Sequence, residues 1–542
     1  MSEQANSKKQ STSKGFAILS AAGFMVKILS LLYVPFLRKI LGAEGYGVYA
    51  AAYPIFVYIY ILTNAGLPVA ISKMVSELVA VGNYRDAIKT FKIARFSLLI
   101  LGIIMSLLML VFAGTIADGT HSSTAKLAIL ALSPTILLSS VLSAYRGYFQ
   151  GRGNMTPTAV SQVLEQIANT VFSLIFAAFF IKYGVAKGAA GGTIGTSIGA
   201  LVAVIYMVKY YKKNKVFRIP KGQNKIDIKR FTTKRIVKKL VAVALPMTIC
   251  LAIQQAGLLI DLGLVQSRML ASGIVQKQVT ILWGVLFQYT TLINVPIAII
   301  TSLAITILPS ISSLMALNDK KAVKDKINYA FRLCFLVAVP SAFGLAALAK
   351  PIVYVLAYDS GVGRLLSYGS VVIILMAVVS IQTSILQGVG RLYLVTFYAL
   401  IALIGKVITN YIFVSIPSLN ILGAIMGNGV SFAILLILNY FAINKALRIK
   451  GKLWSHAIKP IIAAAVMAIV SKFMYSNFKF ILSFTKGEYI QSVIAIFMTM
   501  CLAIVTYFLV LVFVGGITKE DLEIFPRKIT KFIPNSIINR IK

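Results

Sequence analysis

The sequence predicts an all-α integral membrane protein with about fourteen transmembrane helices, arranged as two pseudo-symmetric six-helix lobes followed by two further helices. Three observations predict this fold class. Hydrophobic residues make up 58% of the 542 residues and charged residues only 13%, and the mean hydropathy is +0.87. Long apolar runs recur along the chain, and two segments of the first half return in the second. A soluble protein of this composition could not cover its apolar surface with polar groups.

The individual helices follow from the length of the apolar runs, because a membrane-crossing helix needs about 20 mainly apolar residues. In the first half the candidate spans cover residues 15–37, 47–72, 96–117, 127–148, 159–181 and 188–208. In the second half they cover residues 240–265, 281–308, 331–355, 365–387, 394–416 and 421–443. Two more, 460–475 and 490–516, follow. Several spans contain proline, at which transporter helices often bend and which static membrane helices also tolerate. These residues are Pro54, Pro68, Pro246, Pro296 and Pro309.

The charges predict the orientation of these helices. The chain has 54 Lys and Arg against 15 Asp and Glu, a net charge of +39. In a membrane protein such an excess is typical of cytoplasmic loops rather than of a nucleic-acid partner. The basic residues concentrate in alternate loops, which predicts an even number of helices with both termini cytoplasmic. The predicted parts are a tail (1–14), an N-terminal lobe (15–208), a basic linker (209–239), a C-terminal lobe (240–443), two additional helices (444–516) and a tail (517–542).

The basic linker and the three cysteines indicate which partners and which chemistry the protein could have. The basic linker either anchors the topology or binds anionic headgroups of membrane lipids. The three cysteines, Cys250, Cys334 and Cys501, lie in apolar runs without a metal-binding or disulfide spacing. The sequence also shows no nucleotide-binding motif, no metal-ligand cluster and no catalytic triad. It therefore predicts a protein that is not an enzyme and holds no cofactor or metal.

An internal repeat relates the two lobes. The segment "GLPVAISKMVSEL" at 66–78 matches "SLAITILPSISSL" at 302–314, and "SAYRGYFQGRGNMTPTAV" at 143–160 matches "SIQTSILQGVGRLYLVTF" at 380–397. The offsets, 236 and 237 residues, are nearly equal, which indicates duplicated lobes. Since each lobe has an even number of helices, the copies share one membrane orientation. The Gln-Gly-x-Gly motifs are interpreted as turns that end a helix, in preference to substrate contacts.

Charged residues inside the spans are the first candidates for function, because a charge in the membrane is costly and usually faces a cavity or a partner. They are Lys27, Glu165, Asp261 and Lys406, on the first, fifth, seventh and eleventh spans. Under the repeat these are equivalent helices of the two lobes. Two interpretations stay open. The charges form structural pairs, Lys27 with Glu165 and Asp261 with Lys406, or they line a water-filled cleft.

Other polar residues extend this set. Amides near the same helices either hold helices together or contribute to the cleft; they are Asn64, Gln254, Gln255, Gln288, Asn294 and Asn410. Basic residues on the inner side either anchor the topology or receive phosphate groups; they are Lys73, Arg85, Lys89, Lys92, Arg95, Arg146 and Arg152.

The N-terminal residues also resemble a known family. The opening "GFAILSAAGFMVKILSLLYVPFLRKILGAEGYGVYAAAYPIF", followed by "NAGLPVAISKMVSEL" and a short basic loop, resembles the multidrug/oligosaccharidyl-lipid/polysaccharide (MOP) exporter superfamily. Within it the chain is similar to the polysaccharide biosynthesis proteins of the SpoVB/YtgP type, akin to the MurJ lipid II flippases. Lys27 lies where those proteins place a first-helix arginine. A second arginine of that helix is replaced by Tyr33, and one before the eighth-helix proline by Thr291.

The resemblance implies a function in the bacterial cytoplasmic membrane. It implies a flippase that moves an undecaprenyl-diphosphate-linked saccharide, with lipid II first among the candidates, and that works alongside cell-wall synthesis proteins. Lys27, Arg38, Asn64 and Glu165 would bind the substrate, while Asp261, Lys406 and Asn410 would couple an ion gradient or the membrane potential to lobe movement. The alternatives are an exporter of another lipid-linked polysaccharide unit and a MATE-like drug or cation antiporter. A membrane-embedded glycosyl polymerase is disfavoured because the outer loops are short.

Overall fold

The computed structural model describes residues 12–214, 231–317, 319–447, 456–484 and 487–516. Within these ranges the regular structure is entirely helical. Apolar helices are the expected solution in a bilayer, because each satisfies its backbone hydrogen bonds within itself. The predicted tails, apart from residues 12–14, and the larger part of the predicted basic linker lie outside the described residues.

Contacts divide the chain into two compact units, Met1–Phe287 and Gln288–Lys542. The first contains α1 (Thr12–Asn64), α2 (Gly66–Ala80), α3 (Tyr84–Val111), α4 (Ala113–Gly119), α5 (Lys126–Gly151), α6 (Thr156–Phe180), α7 (Val185–Lys213), α8 (Thr233–Ala271) and the start of α9 (Gln276–Ala316). The second contains the rest of α9, α10 (Lys320–Ala347), α11 (Ala349–Val355), α12 (Ser360–Gly369), α13 (Val372–Gly388), α14 (Leu392–Phe413), α15 (Ile421–Leu447), α16 (Ile458–Ile481) and α17 (Glu488–Phe513). These units differ from the predicted lobes, because the lobes are defined by the sequence repeat and the units by contacts between residues.

The number of membrane-crossing helices agrees with the predicted fold class. Among the described residues, twelve helical stretches are long and apolar enough to cross a membrane, and α12 with α13, bent by 58°, form a thirteenth. The first stretch, Ile18–Ala80, has 63 residues, about three times the length of one crossing. At Gly42 its backbone leaves the helical region, with φ 71° and ψ 177°. Counting the residues on either side of Gly42 as separate crossings gives about fourteen.

The helix ends differ from the predicted spans in two ways. Several helices extend beyond the apolar run, as α8 does by beginning at Thr233, because a helix continues through polar residues outside the hydrocarbon. The predicted span 365–387 is bent between α12 and α13. Hydropathy does not register a bend when the residues on both sides of it are apolar.

Prolines do not set the main breaks of the first unit. The helices α1 and α8 continue through Pro54 and Pro246. The breaks lie instead at Gly42 and at Ala65, and only Pro68, in the first turn of α2, is close to one of them. Pro54 and Pro246 are thus tolerated inside continuous helices, as prolines in membrane helices can be.

The repeat is visible in matched helix crossings within each unit. In the first unit, a Cβ at Gly151 of α5 would lie 2.6 Å from the carbonyl oxygen of Ser72 on α2. In the second, a Cβ at Gly388 of α13 would lie 3.0 Å from that of Leu308 on α9. These residues correspond at the offsets found in the sequence. The last glycines of both Gln-Gly-x-Gly motifs, Gly153 and Gly390, have positive φ, as a turn after a helix requires.

A second matched crossing lies between the last two helices of each repeat. Gly191 of α7 approaches Phe176 of α6 so closely that a Cβ would lie 2.4 Å from its carbonyl oxygen. Gly423 of α15 approaches Phe413 of α14 in the same way, with a Cβ 2.6 Å from its carbonyl carbon. Close backbone approach through small residues is the usual way in which membrane helices pack. The duplicated lobes predicted from sequence thus share their packing contacts.

Candidate substrate-binding and ion-coupling residues

The two candidate cations of the first helix lie in different surroundings. Lys27 is exposed on α1, and no ion pair joins it to any described residue. Arg38, one residue after the fully buried Leu37, is half-buried and precedes the break at Gly42 by one helical turn. An exposed lysine inside a candidate span is a site where an anionic ligand can bind without first displacing a protein carboxylate.

Asn64 is the last residue of α1 and lies at the break before α2. Its side chain is 3% exposed, and among the described residues neither its amide nitrogen nor its oxygen has a hydrogen-bond partner. Two residues later, the backbone N–H of Gly66 donates to Thr248 Oγ1 of α8, at 3.2 Å. A buried amide with both polar atoms unpaired is rare, because each costs about 1–3 kcal/mol.

Glu165 forms an ion pair, and its partner is Arg146 rather than Lys27. The Arg146 Nη2 lies 2.7 Å from Glu165 Oε2, and the two side chains are 14% and 26% exposed. Arg146 Nε also donates to Ser161 Oγ at 2.9 Å. The sequence predicts Arg146 as an inner-side basic residue and gives no direct link between it and Glu165. The signal that could have linked them is their place on successive helices, α5 and α6.

The ion-coupling candidates are nearly buried. Asp261 of α8, in the first unit, is 6% exposed. In the second unit Lys406 is 8% exposed and Asn410 is fully buried, one turn further along α14. A Cβ at Gly427 of α15 would lie 1.9 Å from Asn410 Oδ1, so the carboxamide fills the space that this glycine leaves. The pairing of Asp261 with Lys406 stays a prediction.

The first unit contains a polar network that the sequence analysis did not identify. The hydroxyl groups of Tyr33 and Tyr49 share a hydrogen bond. The Tyr53 hydroxyl is hydrogen-bonded to Thr196 Oγ1 at 2.7 Å, and Thr196 Oγ1 donates to Asn169 Oδ1 at 3.2 Å. Ser173 Oγ donates to the same oxygen at 2.9 Å. The bonds from Tyr53 to Ser173 link α1, α6 and α7, whereas the bond between Tyr33 and Tyr49 lies within α1.

The repeat could have revealed part of this network. Asn169 and Ser173 lie 237 residues before Lys406 and Asn410, the offset found between the repeated segments. Gly195 of α7 approaches Ser173 much as Gly427 approaches Asn410, with a Cβ 2.2 Å from the Ser173 Oγ. Both positions are therefore polar in both units. The first of them carries a charge only in the second unit, where Lys406 takes the place of Asn169.

The basic residues that the sequence predicts on the inner side do not form a single free surface. Lys89 Nζ donates to the carbonyl oxygen of Phe231 at 2.9 Å, and Arg95 Nη1 donates to Tyr145 Oη at 3.1 Å. The remaining candidates on α2 and α3 are exposed: Lys73, Arg85 and Lys92. No three His, Cys, Asp or Glu side chains of the described ranges lie close enough together to hold a metal ion.

The profile of the family described as "Polysaccharide biosynthesis protein" matches residues 12–315. The chain belongs to this family. It is 28% identical over 485 residues to stage V sporulation protein B of Bacillus subtilis (strain 168), covering 89% of this chain and 92% of that protein. It is 23% identical over 507 residues to the lipid II flippase MurJ of the same organism, with the same shares covered.

Solved structures share the fold. The lipid II flippase MurJ in an inward closed conformation has a TM-score of 0.65 and 16% identity, covering 91% of this chain and 98% of that one. An inward-facing multidrug resistance MATE family transporter of the MOP superfamily has a TM-score of 0.63 and 16% identity, covering 78% and 96%. This family member is therefore a multi-pass membrane protein with the fold of MOP superfamily transporters.

Proposed function

We propose that the protein is a flippase that moves an undecaprenyl-diphosphate-linked saccharide across the bacterial cytoplasmic membrane, with lipid II as the cargo. The observation that carries the proposal is the family match over residues 12–315, together with a MurJ-like fold over 91% of the chain. The physical requirement is that a diphosphate-saccharide headgroup does not cross hydrocarbon unaided. It needs cations and polar groups inside the membrane protein.

The candidate residues supply such groups. Lys27 is exposed on α1 and attracts the diphosphate, while Arg38 adds a second positive charge further along the same helix. The unpaired amide of Asn64 offers two N–H donors and one carbonyl acceptor to the headgroup. On transfer through the membrane, these contacts replace part of the hydration that the headgroup loses.

The energy comes from an ion gradient or the membrane potential, since the sequence has no nucleotide-binding motif. Asp261, Lys406 and Asn410 are the coupling residues of the proposal. A charge at a nearly buried position responds strongly to a proton or cation that arrives nearby. One elementary charge moved through 100 mV gains about 2.3 kcal/mol, enough to bias a conformational equilibrium nearly fifty-fold.

The test is the binding of lipid II by the purified protein, measured by native mass spectrometry, with undecaprenyl phosphate for comparison. Lys27→Ala should weaken lipid II binding by about tenfold, because one charge-assisted contact contributes about 1.5 kcal/mol. Lys27→Arg should retain binding. Lys472→Ala removes another exposed lysine of a candidate span, on α16, and is the matched control. Equal binding of lipid II by the Lys27→Ala and wild-type proteins would remove Lys27 from the site.

A second cargo is favoured by one observation. The identity to stage V sporulation protein B, 28%, exceeds that to MurJ, 23%, over the same share of the chain. A different undecaprenyl-diphosphate-linked saccharide is therefore the second candidate. Transport of several such saccharides into proteoliposomes, with and without a membrane potential, separates the two. Transport of cationic drugs without lipid binding would instead identify an antiporter.

A further inference from the structure

The ion pair between Arg146 and Glu165 has an unusual position for a structural contact. It joins α5 and α6, two helices that pack chiefly on α7 and touch each other little. Arg146 lies five residues before the end of α5, and Glu165 lies nine residues after the start of α6, about 14 Å along its axis. The pair thus bridges two helices that make few other contacts with each other, and both side chains keep some exposure.

Both members of the pair keep an unused polar atom. Arg146 Nη2 donates to Glu165 and Nε to Ser161. Among the described residues, Arg146 Nη1 and Glu165 Oε1 have no partner, and neither belongs to the fully buried polar atoms. They therefore border accessible space.

We propose that Arg146 and Glu165 form an exchangeable anion site, in which a phosphate group of the ligand replaces the Glu165 carboxylate on the Arg146 guanidinium. This inference rests on the proposed function and assigns it a headgroup contact on α5. A guanidinium presents a planar set of five donors that fits carboxylate and phosphate oxygens equally well. When no ligand is bound, Glu165 prevents the unpaired positive charge that would otherwise remain in the protein interior.

The exchange explains why the partner is a carboxylate. A guanidinium without a competitor would hold a phosphate tightly, and a flippase must release its cargo. Glu165 competes for the same donors and so weakens ligand binding and speeds release. Arg146 therefore binds the headgroup, and Glu165 limits the affinity of that binding.

The experiment measures affinity in variants of each partner, with the full-length protein in detergent. The probes are undecaprenyl diphosphate, undecaprenyl monophosphate, inorganic pyrophosphate and uncharged undecaprenol. Glu165→Gln should bind the phosphorylated probes about tenfold more tightly and release them more slowly, because the competing charge is gone. Arg146→Gln should bind them about tenfold more weakly. Neither variant should change the binding of undecaprenol.

The matched control is the pair of Lys479 on α16 and Glu488 on α17, with an Nζ to Oε1 distance of 2.8 Å. Glu488→Gln should leave the affinity for every probe unchanged. A purely structural pair at Arg146 and Glu165 makes a different prediction: both variants lose thermal stability, and neither gains affinity. Unchanged or weaker binding by a folded Glu165→Gln protein, or a gain that extends to undecaprenol, overturns the proposal.

The probes also separate the two possible sources of phosphate. A gain shared by pyrophosphate and the lipids shows that the headgroup alone is recognised, whereas a gain restricted to the lipids shows that the polyprenyl chain contributes. Failure of the proposed function would look different. The wild-type protein would then neither bind nor move a lipid-linked saccharide, while Glu165→Gln still tightened pyrophosphate binding. Normal lipid II transport by Arg146→Gln would overturn the anion site and leave the proposed function intact.

Discussion

Polar side chains inside the candidate spans are stabilised to different degrees in this protein. The carboxylate of Glu165 is neutralised by Arg146, whereas the carboxamide of Asn64 has no partner among the described residues. Sequence reasoning selected both residues, because polar side chains in apolar runs are visible in a single sequence. It could not select the partner of Glu165, which depends on how α5 and α6 pack.

Replacement of Asn64 tests whether its unpaired amide lowers stability. Asn64→Leu keeps the approximate size and removes both unpaired polar atoms. We expect the free energy of unfolding to rise by about 1 kcal/mol, while transport of the lipid-linked substrate falls. Thermal unfolding in detergent, followed by tryptophan fluorescence, measures the first effect. Asn64→Asp, which places a charge at the same position, should lower the unfolding temperature. A decrease in stability for Asn64→Leu would show that the amide has a partner in the native state.

His456 gives a pH-dependent prediction outside the membrane spans, just before α16. Burial lowers the pKa of His456 below its ordinary value of 6.5, and the charge of Arg332 lowers it further. Because the unfolded chain then binds the proton more readily than the folded one, stability should decline as the pH falls below 6.5 and level off below the folded-state pKa. The decline should be smaller in His456→Gln. Unfolding temperatures between pH 5 and 7.5 measure it, with His121→Asn as the control.

At the scale of helices, glycines decide which faces meet. Gly423 and Gly429 lie on the same helix, α15, in opposite situations. A Cβ at Gly423 would overlap the backbone of Phe413 and Val414, whereas a Cβ at Gly429 would meet nothing within 4 Å. Both glycines are equally visible in the sequence, but only the tertiary structure shows which of them a neighbouring helix needs.

Alanine substitutions at these two glycines should therefore have opposite effects. Gly423→Ala should destabilise the protein by about 1–3 kcal/mol, because the two helices are forced apart. Gly429→Ala should be neutral or should stabilise by up to about 1 kcal/mol through helix propensity. Gly191→Ala, at the equivalent position of the first repeat, should behave like Gly423→Ala. Thermal unfolding of the three variants provides the comparison, and similar effects at Gly423 and Gly429 would contradict the packing.

For the whole molecule, the predicted orientation has a direct test. Exposed Ser123, before α5, is expected on the outer side, and exposed Leu317, after α9, on the cytoplasmic side. In a Cys501→Ser background, a membrane-impermeant maleimide should label Ser123→Cys in intact cells. It should label Leu317→Cys only after the membrane is opened. The background removes the exposed cysteine, since Cys250 and Cys334 are buried. The reverse labelling pattern would invert the topology.

The sequence by itself determined the fold class, the approximate number of spans and the duplication. These properties depend on local hydrophobicity and on similarity between segments, which a single chain contains. Even equivalent contacts, such as Gly151 against α2 and Gly388 against α9, follow the sequence offset. The tertiary structure alone decided the bend between α12 and α13, the pairing of Arg146 with Glu165 and the hydrogen bonds that join Tyr53 to Thr196 and Asn169. The ion pair and the hydrogen bonds depend on which faces of separate helices meet, and the bend lies between two apolar segments. Hydropathy contains no information about either.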